Sequence, residues 1–343
     1  MEKEILDQNA VKLTKKDFVS DQMVKWCPGC GDHAILAAVE RVFPELGIPK
    51  EDFVVVSGIG CSSRFPYYMN TYGIHGIHGR AAAIASGVKL ANPNLSVWMI
   101  TGDGDSMAIG GNHFIHTIRR NIDLNILLFN NQIYGLTKGQ YSPTTPKGLK
   151  TKTSPQGTFE NPFNPGELVI GSQGQFFARA TDSNPKVMAA LFKEAAEHKG
   201  TSVVEILQNC VIFNHNTHKA VTDKETRLDN QLILEHGKPM IFGKERDKGI
   251  VLHGTSLEVV NIGENGITED DILVHNKYEE DTGVHLMLAR MKGPNLPVAL
   301  GVIRSVSHPT FETQLEDCIE ACKETSPFKS VDDLLNSGNT WEV

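Results

Sequence analysis

The chain has no stretch approaching the roughly eighteen apolar residues that a membrane helix needs, which excludes a spanning helix of ordinary length. Positive charge is not in excess either: 33 basic residues stand against 41 acidic ones, a formal charge of −8, so composition gives no reason to expect nucleic acid as a partner. Cysteine is scarce. Six in 343 residues are too few to staple a chain of this length through disulfides, and in a reducing compartment such thiols are cluster or metal ligands, redox pairs or plain packing groups. The opening MEKEILDQNAVKLTKKDF scatters charge and lacks the apolar core of a secretory leader, so a soluble cytoplasmic protein without membrane attachment is expected. No internal repeat and no low-complexity segment is visible.

What the sequence does hold is a rhythm. Ile35, Leu36, Val39, Val42 and Phe43 recur at helical spacing over residues 32–46, with Asp32 as N-cap and Gly47 as the stop. FVVVSG follows, a β-branched run suited to a strand buried on both faces. The alternation continues with a helix over 80–90, a strand over 95–100, a helix over 106–120 and a strand over 124–129. After a glycine- and proline-rich excursion over 135–174 come a strand near 176–180, a helix over 186–199 and a strand over 202–207. Such alternation implies parallel crossovers and an α/β fold, a doubly wound, mostly parallel sheet covered on both faces. Beyond about residue 222 the rhythm changes to hairpin material over 238–254, a helix over 281–291, a last strand over 296–304 and a tail over 332–343. The expected organisation is a ligand-binding domain over 1–221 and a mixed α+β extension over 222–343 that serves packing and partner contacts.

In an open parallel sheet, ligands gather outside the carboxyl ends of the strands. Cys61, Asp103, Asn131 and Cys210 each follow a predicted strand, and Cys27 and Cys30 precede the helix that leads into the first one, so all should meet on one edge. Cys27-Pro28-Gly29-Cys30 alone suits a redox disulfide, half a zinc site or two cluster ligands. Four thiolates together suit a [4Fe–4S] cluster or structural zinc, and spacing does not separate the two. Gly102-Asp103-Gly104 comes straight off one strand and Asn130-Asn131 off the next, with 25 residues between them (105–129). Glycines let a backbone approach a diphosphate, while a carboxylate and an amide oxygen are hard ligands suited to Mg²⁺.

Either fragment alone is an ordinary turn, but the pair resembles the thiamine-diphosphate signature. That resemblance implies Asp103 and Asn131 as side-chain ligands of Mg²⁺, Ile133 as a carbonyl ligand, and Gly102, Gly104 and Asp105 against the cofactor. It also implies His78 and Gly79, in the turn GIHGR, near the diphosphate. A fuller resemblance runs over about residues 20–215, where WCPGCGDH, SGIGCSSRFP, HGIHGRAAAIASGVKLANP, TGDGDSMAIGGNHF and LLFNNQIYGLTKGQ are similar in order and spacing to the β subunits of 2-oxoacid:ferredoxin oxidoreductases.

The family resemblance implies one [4Fe–4S] cluster on Cys27, Cys30, Cys61 and Cys210. It further implies oxidative decarboxylation of a 2-oxoacid with coenzyme A and ferredoxin, reversible as reductive carboxylation. An α subunit, in an αβ or α2β2 assembly, would supply the glutamate that activates the thiamine pyrimidine. The length and C-terminal segment look like the 2-oxoglutarate type rather than the shorter pyruvate type. Pyruvate or broad 2-oxoacid specificity is the alternative, and in another class a zinc-braced binding subunit. Arg64 is expected at the substrate's 1-carboxylate and Lys138 at a distal carboxylate. Lys138, Lys147, Lys150 and Lys152 make their loop basic, which suits coenzyme A phosphates or an acidic ferredoxin. Cys318 and Cys322 share a helix face, match no ligand position, and are expected to be ordinary semi-buried thiols.

Overall fold

The computed structural model describes residues 13–341; residues 1–12, part of the segment read above as lacking a leader, and the last two residues of the tail lie outside it. Eight strands form one sheet in the order β2-β1-β3-β4-β6-β5-β11-β7. They are β1 (Phe53–Ser57), β2 (Tyr72–His75), β3 (Ser96–Gly102), β4 (Asn125–Asn130), β5 (Phe176–Thr181), β6 (Ser202–Leu207), β7 (Gln231–Ile233) and β11 (Val298–Ser305). The first six in that order pair parallel, β11 runs antiparallel to β5, and β7 pairs parallel to β11. Two strands from beyond residue 222 thus extend the same sheet. A separate antiparallel sheet joins β8 (Ile241–Phe242), β9 (Lys248–His253) and β10 (Ser256–Asn261).

The period-two alternation of each strand divides the interior into two cores. Val55, Trp98, Ile100, Leu127 and Phe129 face one side, beneath α1 (Asp32–Val42) and α6 (Pro185–Glu197). Val54, Val56, Met99 and Ile126 face the other, with α2 (Ala81–Ala91), α4 (Gly111–Arg120) and the small sheet. Each such side chain, fully buried, stabilises the fold by about 1.5–3 kcal/mol. The remaining helices are α3 (Asp103–Met107), α5 (Pro165–Gly171), the short α7 (Lys219–Thr222) and α8 (Arg227–Asn230), α9 (Gly283–Arg290), α10 (Phe311–Thr325) and α11 (Val331–Leu335). Cys318 and Cys322 lie exposed on α10, not semi-buried as expected, because nearly the whole of that helix faces outward, and α11 occupies part of the stretch read as a tail. Among the described residues no helix is long and apolar enough to cross a membrane.

Three local departures from the sequence expectation have physical causes. The helix expected over 106–120 is two: α3 begins at Asp103, directly off β3, and α4 begins at Gly111. Between them the backbone of Gly110 lies on Gly79 and on the Asp105 carbonyl, where an added Cβ would stand 2.4 Å from that oxygen, so the chain must leave the helix to bring the two turns together. The excursion over 135–174 contains α5, which Asn164 caps by accepting from the N–H groups of Gly166 and Glu167. Strand β2 is an edge strand of mostly exposed residues and so carries no apolar pattern to be read.

Candidate active site

The parallel strands β1, β3, β4 and β6 end on one edge, and the residues just past them wall two adjoining cavities. The first, about 140 Å³, is lined by the 59–62 turn, His78, Gly102 to Asp105, Asn131 and Ile133 to Thr137. Asp103 is 2 % exposed, and its Oδ2 accepts from Ser142 Oγ and Thr144 Oγ1, each at 2.5 Å. Burial pushes its carboxyl up to about 6 against the opposing pull of those two hydroxyls. Gln132 adopts φ 58°, and this left-handed residue turns the chain so that Asn131 Oδ1 accepts from Ile133 N at 3.1 Å. The strained turn is held by its neighbours: Asn214 Nδ2 donates to Asn131 O, and Thr145 Oγ1 donates to Gln132 O at 2.7 Å. Asp103, Asn131 and Ile133 therefore border one small cavity, and a carboxylate, an amide and a backbone carbonyl are groups of the kind that suit Mg²⁺.

Asp105 plays a different part. Its Oδ1 accepts from Ile59 N at 3.0 Å, Gly79 N at 2.8 Å and His78 Nδ1 at 2.7 Å, and its Oδ2 from Thr101 Oγ1 at 2.9 Å. One buried carboxylate thus pins the 58–60 turn and the GIHGR turn to α3, and Gly58 is required because a Cβ there would stand 2.0 Å from Asp105 Oδ2. Since a carboxylate only accepts, His78 carries its proton on Nδ1, which leaves Nε2 as the nitrogen available to a ligand. The Cβ that Gly104 lacks would lie 2.2 Å from the Tyr134 ring, whose hydroxyl donates to Gly104 O at 3.1 Å.

The second cavity, about 190 Å³, is lined by Cys27, Cys30, Cys61 and Cys210 together with Lys25, Trp26, Asp32, Arg64, Lys138 and Gln208. The two cavities share Cys61, Asn131, Gly135 and Leu136 as a common wall. Gly135 borders both Cys61 and Cys210: a Cβ there would stand 3.4 Å from Cys61 Sγ and 3.7 Å from Cys210 Sγ, in ordinary contact with each. Among the described residues no three His, Cys, Asp or Glu side chains converge at single-ion distance, and the four thiols stand around the wall of one cavity. Burial, then the nearby Asp32 carboxylate, pushes the Cys61 thiol up to about 12 and Cys30 well above the ordinary thiol range. Such thiols ionise when a metal takes the proton's place, a chemistry that fits an iron–sulfur group. Asp32 is itself buried, pushed up to about 7 first by burial, and its Oδ2 has no hydrogen-bond partner. Arg64 and Lys138 both line this thiol cavity rather than the smaller one, and Lys138 holds φ 76° in the tight turn before Gly139.

Sequence reasoning missed a buried relay behind Asp103. Thr144 Oγ1 also lies 3.0 Å from Asn130 Oδ1, Asn130 Nδ2 donates to Glu205 Oε1 at 2.7 Å, and Glu205 Oε2 accepts from Arg179 Nε at 2.6 Å. Arg179 and Glu205 are 4 % and 2 % exposed. The signal was present: an arginine in FFARAT and a glutamate in SVVEIL stand inside strands otherwise free of charge, where an ion needs a partner.

Residues 58–206 match the family described as thiamine pyrophosphate enzyme, C-terminal TPP binding domain. The chain is 46 % identical over 331 residues to the 2-oxoglutarate oxidoreductase subunit KorB of Mycobacterium tuberculosis, covering 96 % of this chain and 88 % of that one. It is 48 % identical to subunit beta of 2-oxoacid:ferredoxin oxidoreductase 1 of Aeropyrum pernix, over 55 % of this chain and 59 % of that relative. Its fold is similar to a solved 2-oxoglutarate:ferredoxin oxidoreductase from Magnetococcus marinus with 2-oxoglutarate, coenzyme A and succinyl-CoA bound, at a TM-score of 0.76, 32 % identity, and 97 % and 98 % coverage of the two chains.

Proposed function

The chain belongs to the β subunits of the 2-oxoacid:ferredoxin oxidoreductases, and from that membership we propose how its residues serve the oxidative decarboxylation of 2-oxoglutarate to succinyl-CoA, together with an α subunit. The carrying observation is that the Asp103–Asn131–Ile133 cavity and the four-cysteine cavity share a wall. When bound, thiamine diphosphate supplies a nucleophilic carbon and an electron sink for loss of CO₂, and a [4Fe–4S] cluster accepts electrons singly for ferredoxin.

Asp103, Asn131 and the Ile133 carbonyl hold Mg²⁺, and Gly102 and Gly104 admit the diphosphate, with His78 and Gly79 at its edge. Asp105 is a positioning residue: its oxygens already hold the turns that carry His78 and Gly79. Cys27, Cys30, Cys61 and Cys210 hold the cluster, and free thiols of this kind suit a reducing cytoplasm. Arg64 orients the 1-carboxylate and Lys138 the distal carboxylate of the substrate; their place on the thiol cavity, beside the shared wall, supports this. Among the described residues lining the smaller cavity there is no glutamate for the thiamine pyrimidine, and the α subunit provides it.

Iron, sulfide and thiamine diphosphate are measured on anaerobically prepared αβ complex, and kcat/KM on 2-oxoglutarate, pyruvate and 2-oxobutyrate. About four irons per chain, a broad absorption near 400 nm and preference for 2-oxoglutarate are expected. Quantitative zinc without iron overturns the cluster assignment, and rapid turnover by the β chain alone overturns the shared active site. Lys138→Ala lowers kcat/KM for 2-oxoglutarate more than for pyruvate; equal losses remove Lys138 from the specificity role.

A further inference from the structure

Gln208 stands at the end of β6, 1 % exposed, with its backbone N–H donating to Asn130 O at 3.1 Å. Its side chain lies against the Cys30–Gly31 turn, closely enough that a Cβ on Gly31 would come within 2.9 Å of Gln208 Cγ. The side-chain Nε2 lies 2.7 Å from Asn209 O and 3.3 Å from Cys30 Sγ. A carbonyl oxygen only accepts, so the atom facing it is the amide nitrogen, and its second hydrogen is the one aimed at the sulfur. The opposite face of the amide is left worse off: Oε1 is buried with no hydrogen-bond partner. Among the described residues this is the one side-chain N–H directed at a cysteine sulfur; the ionisable groups that share a cavity with Cys30 are the carboxylates Asp32 and Asp182, the cations Lys25, Arg64 and Lys138, His33, His218 and the other thiols.

We propose that Gln208 tunes the cluster held by Cys30, its N–H···S bond raising the cluster's affinity for an electron above what the surrounding charged groups alone would set. This rests on the four-cysteine assignment made above. The physical reason is electrostatic. An N–H dipole aimed at a ligand sulfur stabilises the more negative, reduced state more than the oxidised one, and hydrogen bonds to sulfur are among the protein's levers on such potentials. On one-electron uptake no bond at Gln208 forms or breaks and no proton leaves it. Gln208 therefore biases the exchange of electrons between the substrate-derived donor and ferredoxin without touching either.

The test is an EPR-monitored redox titration of the intact αβ complex carrying Gln208→Met, which keeps length and loses the donor, and Gln208→Glu, which puts a carboxylate in its place. The potential falls in Gln208→Met, by up to a tenfold change in the ratio of reduced to oxidised cluster at fixed poise, equivalent to 59 mV for one electron. It falls further in Gln208→Glu. A second measurement needs no variant: pulsed EPR on reduced wild-type complex labelled with ¹⁵N in glutamine side chains shows a coupling to Nε2. An unchanged potential in Gln208→Met with full iron and sulfide overturns the proposal, and so does the absence of a glutamine coupling if the variant fails to load. Absence of iron from the wild-type complex defeats the cluster assignment itself, a different and distinguishable outcome.

Discussion

Replacing Asp103 by asparagine separates what the residue does for a ligand from what it costs the fold. Burial holds its carboxyl near 6 in the folded protein, against 3.8 for an unperturbed aspartate. Well below pH 3.8 the group is protonated in both folded and unfolded chains and imposes no penalty. As pH rises through 6 the folded state must carry a buried charge that the unfolded state carries in water, so the stability present in acid is lost. A gap of about two pH units, at 1.36 kcal/mol per unit, makes that loss about 3 kcal/mol at most. Asparagine keeps an oxygen to accept from Ser142 and Thr144 but no charge. In αβ complex freed of thiamine diphosphate and Mg²⁺ with EDTA, Asp103→Asn is therefore expected to equal the parent near pH 3 and to exceed it by up to about 3 kcal/mol at pH 8, read by urea denaturation with tryptophan fluorescence. The same variant binds Mg²⁺–thiamine diphosphate at least about 100-fold more weakly, read by calorimetry. A metal-free variant less stable than the parent at pH 8, or one with undiminished cofactor affinity, refutes the reasoning.

Thr144→Val removes one donor from Asp103 and the link to Asn130, and is expected to weaken Mg²⁺–thiamine diphosphate binding about tenfold in a calorimetric titration while the cysteine cavity keeps its iron. Glu205→Gln leaves Arg179 as an uncompensated buried charge and is expected to cost about 3–5 kcal/mol in urea denaturation; a loss under 1 kcal/mol means that the relay has other support. Gly104→Ala drives a methyl into the Tyr134 ring and should abolish cofactor binding, with partial recovery in the double variant Gly104→Ala, Tyr134→Ala, because the clash and not the alanine is at fault.

The parallel sheet was legible because buried strands announce themselves as β-branched runs and their helices as apolar stripes of period 3.6. That Gly102 to Gly104, Asn130-Asn131 and the cysteines gather on one sheet edge was legible because each lies beside a predicted strand end or the helix leading into β1, and parallel strands end on the same side. What stayed hidden was set by distance along the chain. Ser142 and Thr144 reach Asp103 from 39 and 41 residues away, inside a stretch whose glycines and prolines carry no periodicity. The break between α3 and α4 answers to Gly79, and the antiparallel placement of β11 answers to the open edge of β5, neither of which local pattern encodes. Gln208 was passed over because an amide beside a cysteine has no spacing signature; only its two contacts mark it out.

The pairing of β11 with β5 sets a timetable for synthesis. After Thr181 emerges, the outer edge of β5 stays without its partner until Ser305 has been made, which at about 5–20 residues per second is a wait of roughly 6–25 s. During that interval an apolar strand offers unpaired N–H and C=O groups to any passing chain. A ribosome stalled or a message truncated between Cys210 and Val298 therefore yields a nascent protein with Cys27, Cys30, Cys61 and Cys210 all present and its sheet unfinished, its open strand edge a template for pairing with its siblings.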